Sequence, residues 1–224
     1  MTMENLKSRA IGISLGMFAA DAGNLRMAAQ DVIGWGCDIL HFDIMDGVFV
    51  PAMIGGPAFV SALDLGALRD VHLMVENPAE HVGSYVKAGA DIIVVHAESN
   101  GAADAIGMIR STARDANRDV MAGLALMPET TLNEGADLLA LKPDMILVLS
   151  LDPRTKNPAD ITKACTRLTQ LRALAPDAVL ALDGGVTLDS ISEIKACNPD
   201  MIVSGSAVLG AKDPKLAFEK MTTL

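Results

Sequence analysis

Four side chains able to hold a metal ion or move a proton lie in short segments that are otherwise mostly apolar. His41 and Asp43 are two residues apart in such a segment, and in a strand this spacing places both side chains on one face. His72 and Asp183 stand near the ends of two further apolar segments. Two imidazoles and two carboxylates make a mixed nitrogen and oxygen shell suited to Zn2+, Mn2+, Fe2+ or Co2+. The pattern predicts a site for one divalent metal ion.

An alternative interpretation is that these histidines only pair with nearby carboxylates inside the core. Of the four histidines in the chain, His41, His72 and His96 all fall at the ends of apolar segments, and Glu98 follows closely behind the last of them. A gathering of so many titratable groups at strand ends favours a functional site over structural pairing.

The elements that must position these groups are eight short apolar runs separated by amphipathic segments. The runs are Ile11–Met17, Ile39–Asp43, Val71–Met74, Ile92–His96, Met121–Leu126, Met145–Leu149, Val179–Asp183 and Met201–Ser204. Several are continuously apolar, as in parallel strands buried on both faces. The amphipathic segments are Asn24–Gly34, Pro78–Ala88, Ala102–Ala116, Ala159–Ala175 and Thr187–Cys197. This alternation indicates strand–helix–strand crossover units.

The number of runs predicts a closed α/β architecture. Dividing 224 residues by eight strands leaves about 28 residues per unit, enough for a strand, a helix and two short loops. A parallel eight-stranded (β/α)8 TIM barrel fits this spacing better than an open sheet, and we predict one domain over residues 1–224. Reactive groups of such barrels stand at the C-terminal strand ends. The longest irregular stretch, Asp46–Pro57, follows the second strand and is typical of a lid or binding loop.

Composition excludes several classes of protein. Half of the residues are hydrophobic, which suits one sizeable core, and a net charge of -10 disfavours nucleic acid and anionic lipid surfaces. No window is apolar enough for a membrane span. Cys37, Cys165 and Cys197 are odd in number and widely spaced, which suits a reducing compartment better than a disulfide framework. We therefore expect a cytoplasmic protein, without a nucleic-acid or membrane partner, that forms a homo-oligomer.

Five motifs resemble the signatures of ribulose-phosphate 3-epimerases, in the same order and at similar spacing. They are His41–Asp46, Asp70–Val75, Val95–Glu98, Asp183–Val186 and Ser204–Ala207. The resemblance runs from about Ser14 to about Lys212, and the first two motifs together are specific. On these residues the chain is identified as a divergent member of that family, which is a family of (β/α)8 barrels.

The resemblance implies a metal-dependent isomerase that inverts C3 of a phosphorylated ketose, most simply D-ribulose 5-phosphate to D-xylulose 5-phosphate. By resemblance, the metal ligands are His41, Asp43, His72 and Asp183. Asp43 and Asp183 also match the acid/base pair of the family. Met45 and Met74 match the apolar, polarizable groups that cap its site, although ordinary core filling explains methionines equally well.

Elementary chemistry explains why such a reaction needs two carboxylates. Inverting a carbon beside a ketone requires removing a weakly acidic proton and returning one to the opposite face, which one base on one face does not achieve. Two carboxylates on opposite sides of the substrate, one ionised and one protonated, can remove the proton from one face and return one to the other. A divalent ion on the carbonyl and hydroxyl oxygens stabilises the cis-enediolate, whose charge develops only during the reaction.

The chain departs from the family pattern around the substrate. The family's first-strand Pro-Ser pair is replaced by Leu15-Gly16, and Ser14, on the same side as Gly16, is our candidate for the missing hydroxyl contact. The glycine-rich loop that wraps the substrate phosphate in the family is replaced by Ser150–Pro158, where Arg154 and Lys156 appear.

The two cations of this loop have two functional explanations and one non-functional explanation. Arg154 and Lys156 either replace the backbone phosphate grip or serve a substrate with a different anionic or polar end. The non-functional explanation is a solvated loop whose charges do nothing. The rest of a typical barrel phosphate site is kept, and its predicted substrate-binding residues are Gly184, Gly185, Gly205 and Ser206.

Three other functions are weighed against the pentose-phosphate reaction. The altered loop leaves open a 3-epimerase of another ketose phosphate, either a ketohexose 6-phosphate or a tetrulose phosphate. A related barrel decarboxylase would need a Lys between two Asp residues, and Asp43–Asp46 contains none. A sugar-phosphate-binding protein without catalysis is expected to lose a base or a ligand, and all four groups are present.

Overall fold

A computed structural model describes residues 1–223, whose strands form a closed parallel barrel. The nine strands are β1 (Gly12–Gly16), β2 (Ile39–Asp46), β3 (Met53–Ile54), β4 (Leu68–Met74), β5 (Ile92–His96), β6 (Met121–Leu126), β7 (Met145–Leu149), β8 (Val179–Asp183) and β9 (Met201–Ser204). The barrel order is β1-β9-β8-β7-β6-β5-β4-β2, and a β1–β2 pairing closes the ring. The predicted (β/α)8 TIM barrel in a single domain is confirmed.

Every predicted apolar run becomes a barrel strand. The short β3 lies outside the ring, pairs antiparallel with the end of β2 and belongs to the irregular stretch predicted after that strand. Alternate strand residues face different cores. On β2, Leu40, Phe42 and Ile44 pack outward against the helices, whereas Ile39 points into the barrel interior. His41 and Asp43 share the inward face with Ile39, so the pleat directs both toward the axis.

Helices cover the outside of the barrel. They are α1 (Met3–Arg9), α2 (Leu25–Gly34), α3 (Pro57–Ala62), α4 (Ala79–Lys87), α5 (Ala102–Asp115), α6 (Ala136–Leu139), α7 (Ile161–Leu174), α8 (Ile191–Ala196), α9 (Ser206–Leu209) and α10 (Pro214–Thr223). Helix α5 buries Ala105, Ile106, Ile109 and Ala113, the spacing of one helical face. The Asp160 carboxylate caps α7 by accepting the backbone N–H of Lys163 at 2.9 Å.

Helix α1 closes the N-terminal end of the barrel. The sequence pattern did not indicate this helix, because its residues are mostly charged or polar and only Leu6 is buried. Leu6 is fully buried in the same cluster as Ile39, Leu68 and Ile92, which are the first residues of β2, β4 and β5. The Thr2 hydroxyl accepts the Asn5 N–H and caps the helix. The helix therefore leaves the opposite, C-terminal end as the open mouth.

Two cysteines are joined, which departs from the expectation of unpaired thiols. Cys165 on α7 and Cys197 at the C-terminus of α8 form a disulfide between neighbouring outer helices. Their separation of 32 residues gives no motif by which the sequence could indicate the pair. Cys37 is buried and free, and burial raises the pKa of its thiol to about 11. Between residues 1 and 223, no helix is both long and apolar enough to cross a bilayer.

Candidate active site

The four predicted ligands meet at the C-terminal mouth of the barrel. One ligand atom from each of His41, Asp43, His72 and Asp183 lies within 4.8 Å of the other three. The strand register explains half of this arrangement. His41 and Asp43 on β2 are the direct partners of Asp70 and His72 on β4, so two pairs of polar side chains stand opposite each other.

Asp43 is central to this cluster. Its Oδ1 atom lies 3.1 Å from Nε2 of His41 and 3.2 Å from Nδ1 of His72. The same His72 nitrogen lies 3.7 Å from Oδ2 of Asp183. Nitrogen and oxygen donors that converge on one point from three strands suit a divalent cation, which would be held by these four side chains. The residues present therefore fit a metal centre.

The two carboxylates carry opposite shifts. Burial would raise the pKa of Asp43, but the charge and hydrogen bond of His41 outweigh it and hold that pKa well below its usual range. Burial, together with the charge of Asp43, raises the pKa of Asp183. Asp183 thus holds a proton more tightly than Asp43 does, an asymmetry that suits acid/base catalysis.

A cavity of about 160 Å³ opens over the cluster. Among the residues predicted to bind substrate, Met45, Met74 and Gly184 line it, and the apolar side chains of Leu149 and Leu151 contribute a further wall. Its size suits part of a small polar molecule. The cavity thus places the two ionisable carboxylates beside apolar side chains.

Comparisons with known proteins identify the family of this chain. The model of the ribulose-phosphate 3-epimerase family matches residues 12–209. A ribulose-phosphate 3-epimerase of Serratia marcescens is 35% identical over 209 residues, covering 90% of this chain and 96% of the relative. One from Aquifex aeolicus is 32% identical, covering 87% and 88%. The chain belongs to the ribulose-phosphate 3-epimerase family.

Solved structures add the fold. A 3-hexulose-6-phosphate synthase from Salmonella typhimurium superposes with a TM-score of 0.69 at 16% identity, covering 94% of this chain and 95% of that one. The family match confirms the assignment that the sequence motifs indicated. It also confirms the isomerase class, because ribulose-phosphate 3-epimerases are carbohydrate epimerases.

Other predicted substrate residues of this family member lie away from the cavity wall. Ser14 is fully buried, and its hydroxyl donates to Oδ2 of Asp70 at 3.2 Å. Gly205 packs against Gly16 of β1 at the start of α9, where Ser206 is the first helical residue. The contact of Ser14 with substrate stays a prediction.

The substituted loop after β7 lies over the glycine pair that follows β8. Gly184 and Gly185 have φ of +89° and +61°, and the Ser150 hydroxyl donates to the Gly184 carbonyl at 2.7 Å. A Cβ at Gly185 would collide with Ala159, and one at Gly184 would come 2.9 Å from Leu151. Only glycine fits at both positions, because the backbone is left-handed and the loop packs directly on it.

Arg154 is held within this loop. Its guanidinium forms a two-point ion pair with Asp152, with Nη2 to Oδ2 at 2.8 Å, and lies 5.7 Å from the centre of the Phe49 ring. Lys156 is exposed. The two cations therefore stand at the rim, one of them already paired with a carboxylate.

Asp70, His96 and Glu98 were not among the predicted site residues. They support the two histidines of the site through hydrogen bonds. Asp70 accepts from His41 in a 2.6 Å contact between Oδ2 and Nδ1, and its Oδ1 has no protein partner within residues 1–223. On the other side of the site, His96 contacts Nε2 of His72, and Glu98 in turn contacts Nδ1 of His96. The signal for Asp70 was its spacing of two from His72, which places both on the inward face of β4.

Proposed function

We propose that this protein is a metal-dependent epimerase that inverts C3 of a phosphorylated ketose, most simply converting D-ribulose 5-phosphate to D-xylulose 5-phosphate. The observation that carries the proposal is the pair Asp43 and Asp183 at one cavity, with their pKa values pushed in opposite directions. Family membership supports the reaction class, since the curated relatives are named for it.

The two carboxylates stand on β2 and β8, which β1 and β9 separate in the barrel. A flat substrate held between them would meet one carboxylate on each face. Asp43, favoured as the anion, takes the C3 proton, and Asp183, favoured as the acid, returns one to the other side; the reverse reaction exchanges the roles. Each carboxylate has two oxygens, so it could move a proton and would still be able to serve as a metal ligand.

His41, Asp43, His72 and Asp183 would hold one divalent ion, either Zn2+, Mn2+, Fe2+ or Co2+. When bound, the ion supplies positive charge for the oxygens of the cis-enediolate. Met45 and Met74 cover the reacting carbon with apolar surface, which strengthens these electrostatic interactions by limiting water.

The phosphate end is assigned to the rim. The Gly184 N–H donates to Oδ1 of Asp183, so Gly184 shapes the turn. The backbone N–H groups of Gly185, Gly205 and Ser206 form the fixed part of the grip, and Arg154 and Lys156 supply charge. The ion pair of Arg154 with Asp152 favours a second candidate, a 3-epimerase of a ketohexose 6-phosphate or a tetrulose phosphate, because the loop no longer offers the backbone cradle of the family. A cytoplasmic location and a homo-oligomer stay predictions.

The test is metal analysis followed by epimerisation assays on a panel of phosphorylated and free ketoses. We expect one divalent ion per chain, inversion at C3 of D-ribulose 5-phosphate or a related ketose phosphate, and loss of rate after chelation. Absence of C3 inversion for every ketose phosphate, with each of the four metals supplied, would reject the proposal. Inversion of a free ketose with equal kcat/KM would reject the phosphate part alone.

A further inference from the structure

Two side chains beyond the metal ligands, the buried His96 and the half-buried Glu98, form a hydrogen-bonded series that ends on His72. Nε2 of His96 lies 2.8 Å from Nε2 of His72, and Nδ1 of His96 lies 3.0 Å from Oε2 of Glu98. Both histidines are fully buried, and the Phe49 ring packs 4.9 Å from that of His96. The series links the ends of the neighbouring strands β4 and β5.

The far end of this series fixes the direction of its hydrogen bonds. Oε1 of Glu98 accepts the backbone N–H of Met127 at 3.0 Å and also the hydroxyl of Thr130. Burial would raise the pKa of Glu98, but the hydrogen bonds from His96, Thr130 and the Met127 N–H lower it, so Glu98 is an ionised carboxylate and has no hydrogen to donate. Oε2 of Glu98 therefore accepts as well, and Nδ1 of His96 carries the hydrogen that it receives.

This direction passes to His72. A neutral imidazole has one N–H and one lone pair, so a hydrogen on Nδ1 of His96 leaves its Nε2 as an acceptor. The 2.8 Å contact then requires His72 to donate from Nε2. The lone pair of His72 is left on Nδ1, the atom that faces the carboxylates of Asp43 and Asp183 at 3.2 and 3.7 Å.

Such an arrangement directs three acceptors at one point, and it is favourable when a cation lies among them. We propose that His96 and Glu98 are positioning residues, which fix the tautomer of His72 so that its Nδ1 lone pair is presented to the metal. The inference rests on the proposed metal centre and adds residues that act through one of its ligands. Partners of this kind set ligand orientation and basicity in metal sites generally.

The first measurement reads the tautomer directly and needs no metal. Nitrogen chemical shifts of 15N-histidine-labelled apoprotein, at a pH where His72 is neutral, distinguish a protonated ring nitrogen from a bare one. We expect the hydrogen of His72 on Nε2 in the parent protein. In His96→Phe, which keeps a ring but removes the acceptor, and in Glu98→Gln, whose amide supports either direction, we expect a population with the hydrogen on Nδ1.

The second measurement is the affinity of the apoprotein for Co2+, followed by its visible absorption in competition with a chelator. We expect His96→Phe to bind Co2+ about 10- to 100-fold more weakly than the parent. In His96→Gln the side-chain carbonyl can still accept from His72, so we expect most of the affinity to return. Ser99→Ala is the matched control, because Ser99 is buried beside the same strand end and bonds only the Val75 carbonyl.

The outcomes separate this inference from the metal centre itself. A parent protein that binds no Co2+, Zn2+, Mn2+ or Fe2+ would overturn both. A parent that binds metal, beside a folded His96→Phe variant with unchanged Co2+ affinity and an unchanged His72 tautomer, would overturn only the positioning role. Circular dichroism checks that each variant is folded, and a His96→Phe that does not fold leaves His96→Gln and Glu98→Gln to decide by their tautomers.

Discussion

Oδ2 of Asp70 lies 2.6 Å from Nδ1 of His41, and both side chains are buried. The contact leaves Nε2 of His41 facing Asp43 at 3.1 Å, which is the nitrogen that a metal would need. Because the charges of Asp70 and Asp43 outweigh burial, the pKa of His41 is raised well above its ordinary value. Asp70 thereby orients the ring and increases its basicity.

Replacing Asp70 is expected to weaken metal binding without removing a ligand. In Asp70→Asn the amide can still accept from His41 but carries no charge, so we expect about 10- to 100-fold weaker binding of Zn2+ or Co2+, measured by competition with a chelator. Asp91→Asn is the control, because Asp91 is also buried and instead pairs with Arg118 at the other end of the barrel. Equal loss of affinity in both variants would contradict a specific role for Asp70.

His72→Ala is expected to strip the ion. Removing one of four ligands leaves three, and we expect the metal content of the purified variant to fall well below one ion per chain, measured by elemental analysis. His81→Ala serves as the control, because His81 lies in helix α4 and outside the cluster. Full metal occupancy in His72→Ala would remove that residue from the ligand set.

Asp43→Asn and Asp183→Asn are each expected to abolish epimerisation, since each face of the substrate needs its own proton carrier. Loss of rate alone is ambiguous because both residues are also proposed ligands. Exchange of deuterium from solvent into the reacting carbon separates the roles: a variant that exchanges deuterium without inverting has kept one base. Inversion at near the parental rate, with metal bound, would show that the scheme with two bases is incorrect.

The rim cations are expected to act on binding. Replacing Arg154 and Lys156 together by Ala should raise KM for the phosphorylated ketose much more than it lowers kcat, as loss of uniform binding does. The effect on KM should shrink at high salt, because Arg154 and Lys156 are both exposed to solvent. Lys195→Ala on the outer helix α8 is the control. An unchanged KM in the double variant would show that the loop is a solvated surface.

Leu6→Ala is expected to destabilise the barrel. The side chain is fully buried in the cluster that seals the N-terminal end, and deleting it removes apolar contact and leaves a cavity. We expect a loss of about 2–5 kcal/mol in the free energy of unfolding, measured by urea denaturation. Leu174→Ala, at 64% exposure, is the matched control and should change stability by about 0.5 kcal/mol or less. Similar values for both variants would show that α1 is not part of the core.

The sequence by itself determined the barrel strands and the four groups of the proposed metal centre. Buried parallel strands are written as continuous apolar runs, so polar residues such as His41 and Asp183 stand out within them. Side chains of a strand alternate between its two faces, so the spacing of two indicated that His41 and Asp43 share a face. The closed order of strands then brought β8 near β2, as eight repeated units require.

Only the tertiary structure decided which residues hydrogen-bond to those four groups. Asp70 is the direct strand partner of His41, whereas His96 reaches His72 from two residues beyond Val94, the strand partner of His72. Both contacts depend on the register of neighbouring strands, which spacing along one strand does not encode. The disulfide between Cys165 and Cys197 depends on two helices meeting in space. The pairing of Arg154 with Asp152 likewise follows from the conformation of an irregular loop, for which no periodicity exists to read.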